Sequence, residues 1–182
     1  MATDIGIEIP IMVYEPTNMP TQISYPEPGA ATFTLSIPMF DRFCKKGNEK
    51  TFSDLAYIND LPWQVYSLVE NLHIDNLGHL LQNGNGKIFN NGAPWIQNLV
   101  VYLQCNGHVK NREFVVGKPH KPAYVLIRNA VNIRNSVLQK FTARINEKQY
   151  WKKIELGNVE QFFEPGFIQI DGSLQLEVHI DT

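Results

Sequence analysis

The chain reads as an all-β protein, an antiparallel β-sandwich of about eight strands with one or two short helices. Two observations predict this. Short apolar runs, alternating with polar residues or too brief for a helix, recur from residue 30 onward. Clusters of Gly, Pro, Asn and Asp separate them at "CNGH", "GKPHKP", "EPGF" and "IDGS". Many short strands with such punctuation fit a sandwich.

Residues 1–29 hold five of the eleven prolines (Pro10, Pro16, Pro20, Pro26, Pro28). Proline fixes φ and withholds a ladder donor, so this segment reads as an extended or disordered tail. A short strand at Ile5, Ile7 and Ile9 is the one alternative inside it. The domain proper then spans 30–182. "ATFTLSIP" alternates Phe33, Leu35 and Ile37 against Thr and Ser, the pattern of a half-buried strand. "LPWQVYSL" gives a second strand. "LVVYLQC" is apolar throughout and fits a strand covered on both faces. "EFVV", "AYVLI" and "SLQLEVHI" follow, the last with Leu174, Leu176, Val178 and Ile180 on one face. "VLQKF" fits either strand or helix. Asn158, with Gln161 three residues on, is the clear helical start signal. Residues 71–97, rich in Asn and Gly, read as a long loop insertion with a helical turn at "IDNLGHLL".

Composition narrows the function classes. A length of 182 residues suits one domain and a tail, with 43% hydrophobic and 19% charged residues. A net charge of −2 gives no global attraction to nucleic acid or an anionic membrane, so any basic patch must be local. No apolar run has membrane-spanning length. The start, "MATDIGIEIPIMVYEP", carries acids and prolines where a signal peptide needs a basic start and an apolar stretch. Cys44 and Cys105 are far apart with no CxxC spacing, which argues against a disulfide framework or a zinc site. An intracellular, reducing compartment, nucleus or cytoplasm, is the expectation.

No residue set points to catalysis. "NGNGK" lacks the preceding strand, the Gly-Lys-Ser/Thr ending and the following helix of a phosphate loop. Cys44, His73 and Asp75 are not brought together by any sequence signal, and the five histidines show no metal-ligand pair. The expectation is a non-enzymatic chain without metal or cofactor. "RINEKQYWKKIEL", residues 144–156, is the richest stretch, with Tyr150 and Trp151 bracketed by Lys148, Lys152 and Lys153. Bases stack on aromatics and lysines bind phosphate, so it suits single-strand binding. Alternatively Trp151 is core and the lysines are solvated, their stems lying on apolar surface.

Five stretches in order, "ATFTLSIPMFDRF", "INDLPWQV", "VVYLQCNG", "AYVLIRN" and "WKKIELGNVEQFFEPGFIQIDGSLQLEVHI", make residues 30–182 resemble the MATH (meprin and TRAF homology, TRAF-like) domain. Within it they are most similar to the recruiting domains of ubiquitin-specific proteases. The resemblance implies an eight-stranded antiparallel sandwich that docks short linear peptides of partner or substrate proteins by adding a strand to a sheet edge. It also implies a groove. In one register Lys148, Gln149, Tyr150 and Trp151 match the family's Asp-Trp-Gly-aromatic strand, keeping only the aromatic; in another, Trp151 itself takes the place of the family tryptophan. Glu70 stands where an arginine would help hold a ligand serine, so the groove's charges are reversed if Lys148 replaces the Asp. Tyr66 and Tyr102 match aromatic groove positions and Arg134 a basic one, whereas Phe33, Trp63, Leu103 and Phe167 read as core. The motif preference is therefore expected to differ from the serine-containing consensus.

Three functions compete at this stage: the substrate-recruiting domain of a ubiquitin-specific protease, the substrate adaptor of a ubiquitin ligase of the MATH-BTB type, and a nucleic-acid- or glycan-binding sandwich. The first is preferred, with peptide motifs as partners and no nucleic acid or membrane. The Pro-rich tail shows no heptads, so a monomer is expected.

Overall fold

The computed structural model describes residues 29–74, 80–81, 95–107 and 109–182. The tail up to residue 28, including the candidate strand at Ile5–Ile9, lies outside the described residues. The strand segments are β1 (Ala30–Ile37), β2 (Thr51–Phe52), β3 (Ala56–Ile58), β4 (Leu61–Ile74), β5 (Leu80–Leu81), β6 (Trp95–Cys105), β7 (Phe114–Val116), β8 (Tyr124–Ile127), β9 (Val137–Lys140), β10 (Ala143–Ile145), β11 (Trp151–Asn158) and β12 (Leu174–Asp181). They pair antiparallel throughout. One sheet runs β1-β12-β8-β9. The other runs β11-β6-β4-β2, with β3 and β5 also on β4, and β10-β7 forms a small ribbon. The chain is the all-β sandwich its pattern predicts. The strand segments outnumber eight because several are two- or three-residue pieces, too short to register as periodic runs.

The core follows the alternation. Phe33, Leu35 and Ile37 of β1 face inward and pair with Val178, Leu176 and Leu174 of β12, all buried. On β4, Trp63, Val65 and Val69 face inward; the Trp63 indole is wholly buried and donates to the Ile58 carbonyl at 3.3 Å. Phe33, Leu103 and Phe167 are core as expected. β6 lies between β4 and β11, and its apolar run is covered on the inner face throughout but on the outer face only in part. Leu99, Val101, Leu103 and Cys105 are buried inside, and Val100 is buried outside beside Leu68. Toward its end, however, Tyr102 and Gln104 are only half-buried.

Three local readings change. The segment Phe40–Lys46 is an α-helix, α1, burying Phe40, Phe43 and Cys44 at i, i+3 and i+4. It is one short turn pair after a strand, too brief to show a period in the sequence. The strand β4 runs on to Ile74 and pairs through His73↔Trp95, so both ends of the 71–97 stretch belong to the ladder. Leu80–Leu81 pairs with Ile74 and His73, so the described part of "IDNLGHLL" is strand rather than helical turn. The ambiguous "VLQKF" resolves into β9.

The Asn158 signal holds. Its side chain accepts from the Glu160 amide at 3.0 Å and starts a 3₁₀ turn over Val159–Phe163. Gln161 does not reach back to the cap; it donates to the Leu156 carbonyl at 3.1 Å. Together α1 and this turn close one end of the sandwich, where Phe40 meets Phe162 edge-on at 6.4 Å.

Candidate functional site

The outer face of the larger sheet carries a row of aromatic rings across four strands. Alternation turns Tyr66 of β4, Tyr102 of β6 and Trp151 of β11 outward, because Val65, Leu103 and Ile154, each an odd number of residues away on the same strand, point into the core. Tyr66 lies directly opposite Tyr102, and the rings stack at 4.9 Å with an interplanar angle of 7°. Phe52 of β2, opposite Tyr66, extends the row at 5.3 Å. Trp151 extends it the other way, 5.8 Å from Tyr102. It faces Gln104, one diagonal step along the ladder, within reach of a large ring. Trp151 is 45% exposed and Phe52 52%, so the row is a surface and Trp151 is not core. The Lys50 ammonium sits 4.8 Å from the Tyr66 ring centroid, at the range of a cation–π contact.

A polar network borders the row. The Tyr102 hydroxyl donates to Glu70 Oε1 at 2.8 Å, and Lys153 Nζ donates to Glu70 Oε2 at 2.6 Å. Lys153 also pairs with Glu155 Oε1 at 3.2 Å. Both oxygens of Glu70 are therefore already engaged. Burial and the hydrogen bond to the Glu70 carboxylate push the Tyr102 phenol well above the ordinary tyrosine range. Burial, Glu70 and Tyr150 raise Tyr66 as well. For Lys153 burial acts downward, but the bonds to Glu70 and Glu155 outweigh it and leave the ammonium above its usual value.

Of the residues singled out from the sequence, Tyr66, Glu70, Tyr102 and Trp151 come together here. Lys148, Gln149 and Tyr150 do not continue the strand backward from Trp151. The Asn146 side chain accepts from the Lys148 and Gln149 amides at 3.0 and 2.9 Å, and the Asn146 amide donates to the Gln149 carbonyl. This Asx turn breaks "RINEKQYWKKIEL" into β10, a turn and β11. Tyr150 lines a separate depression of about 380 Å³ with Val109 and Asn146. Arg134 lies in the 3₁₀ turn Ile133–Asn135, between β8 and β9 of the other sheet. The charge opposite Glu70 is thus Lys153, not Lys148. Lys153 was legible as the residue two beyond Trp151 on the same strand face; Phe52, in a two-residue strand, carried no sequence signal.

Among the described residues β11 ends its sheet, so one of its edges has no strand partner there. The Tyr150 carbonyl accepts from the Cys105 amide, and the ladder alternates from there. The backbone groups of Lys152 and Ile154 thus face β6, while those of Trp151 and Lys153 face the open edge. Beside that edge, between the two sheets, runs a groove of about 680 Å³ bounded by Lys118, Pro119, Lys140, Phe141, Lys152 and Ile154. Gly117 shapes its wall: its φ is +81°, and a Cβ there would stand 2.1 Å from the Phe141 carbonyl oxygen.

Cys44 and Cys105 are buried free thiols, and burial, then Asp41, raise the Cys44 thiol to about 11. Among the described residues no group of three or more His, Cys, Asp or Glu could hold a metal ion. No helix there is long and apolar enough to cross a membrane. No protein-family model matches the chain, and no curated protein matches it.

Proposed function

We propose that this chain is a MATH-type protein-interaction module that docks short linear peptides by strand addition to β11, as the recruiting domain of a ubiquitin-specific protease does. The carrying observation is an open strand edge lying next to a half-exposed aromatic row. An added strand would take its backbone hydrogen bonds from the edge and rest alternate side chains on the Trp151 and Tyr102 rings. An intracellular monomer in the nucleus or cytoplasm goes with this reading, and two buried free thiols are compatible with it. The ligand motif differs from the family's serine consensus, because Glu70 stands where the resemblance places an arginine donor and both its oxygens already hold Tyr102 and Lys153.

Fluorescence anisotropy with labelled extended peptides, the serine consensus among them, tests this. Binding should weaken about tenfold or more in Trp151→Ala, the size of a buried aromatic anchor. N-methylation of alternate ligand amides should abolish it, and serine-to-alanine exchange in the peptide should leave it unchanged. Binding indifferent to both N-methylation and Trp151→Ala would overturn strand addition. A strong serine requirement would overturn the altered motif.

A further inference from the structure

The groove beside β11 has a charge character the chain as a whole lacks. Lys118, Lys140 and Lys152 line it, while Lys153 and Glu155, also along its rim, turn their side chains to the outer face opposite Tyr102 and Val100; the whole chain carries −2. Glu155 is bound to Lys153. Lys118, Lys140 and Lys152 have no carboxylate partner within salt-bridge distance among the described residues. These residues lie in the β7–β8 connection, at the end of β9 and on the sandwich-facing side of β11, and so line the groove from both sheets. Lys118 and Lys152 supply its charge, because the pairing of Lys140 with Tyr124 turns the Lys140 side chain to the outer face of the smaller sheet.

Resting on the strand-addition reading above, we propose that the occupant of this groove is an acidic peptide with a two-residue period. A strand added to β11 alternates its side chains between the two sides of the sheet. Those on the groove side meet Lys118 and Lys152 and should be Asp or Glu. Those on the outer side meet Trp151 and should be apolar. The edge itself selects a polypeptide over a nucleic acid. It offers N–H and C=O groups in turn, and a peptide backbone answers both, whereas a phosphodiester supplies acceptors only. The groove also lacks an exposed ring on which a base would stack, since Phe141 is buried and the Trp151 ring lies on the other side of the sheet.

The probe is a labelled peptide alternating Glu and Val, compared with its Gln/Val and Lys/Val counterparts, titrated by anisotropy onto the whole chain. The Glu peptide should bind about tenfold tighter than the Gln peptide, as two partly exposed charge pairs allow, and the advantage should shrink as salt is added. The Lys peptide should bind least. The double variant Lys118→Glu, Lys152→Glu should lose the Glu peptide and gain the Lys peptide, a swap that a misfolded variant would not show. Equal binding of the Glu and Gln peptides would overturn the acidic occupant while leaving strand addition standing. Failure of all three peptides to bind would overturn both. A single-stranded oligonucleotide that binds through the same lysines more tightly than the Glu peptide would overturn the choice of partner.

Discussion

Glu70 joins two strands and the aromatic row, and a double-mutant cycle with Lys153 measures how much. The two side chains are each 24% exposed and meet at 2.6 Å. A fully solvated pair contributes about 0–1 kcal/mol, and partial burial with a direct charge-assisted hydrogen bond raises that. A coupling of about 1–2 kcal/mol is expected, discounted for the water that still reaches both groups. Glu70→Gln removes the charge but keeps an acceptor for Tyr102. Glu70→Ala also orphans the half-buried Tyr102 hydroxyl, so it should cost roughly 1 kcal/mol more. Urea unfolding of the wild type, Glu70→Gln, Lys153→Met and the pair gives the coupling directly, provided the denaturant slope is unchanged. A coupling below about 0.3 kcal/mol would refute the idea that this pair braces the row. So would equal stability of Glu70→Gln and Glu70→Ala as regards the Tyr102 bond.

Two further outcomes follow from the same geometry. Gly117→Ala should destabilise the fold by about 3 kcal/mol, because the residue must hold a positive φ and its Cβ would strike the Phe141 carbonyl; a melting temperature equal to wild type would contradict this. Tyr102 and Lys153 both have folded-state pKa values above their ordinary ones, so their protonated forms favour the native state. Their contribution is complete below the ordinary tyrosine and lysine range and is lost as pH rises through the raised values. Wild type should therefore lose stability with rising alkaline pH more steeply than a Tyr102→Phe, Lys153→Met double variant, and parallel pH profiles would count against the network.

The sandwich was legible in the sequence because its signal is local. Alternation in "ATFTLSIP" and "SLQLEVHI" states which face of each strand is buried, and the pleat has the same period in every sheet. The Asn158 cap was readable for the same reason: it acts over two residues. The candidate site was legible in part. Tyr66, Glu70, Tyr102 and Trp151 form one surface. Lys148 to Tyr150 left the strand because the Asn146 side chain caps their amides, a competition between turn and ladder that residue type alone does not settle.

The sequence by itself determined the fold class, the core faces and the absence of a global charge bias toward nucleic acid. Register and sheet order were decided only in three dimensions. Register sets Tyr66 against Tyr102 and brings Lys153 to Glu70 from 83 residues away. Sheet order leaves β11 at an edge and carries Lys118 and Lys140 from the connection after β7 and the end of β9 to the same groove. Pairing across such distances depends on how whole strands pack, and no local periodicity encodes which strand will be a neighbour.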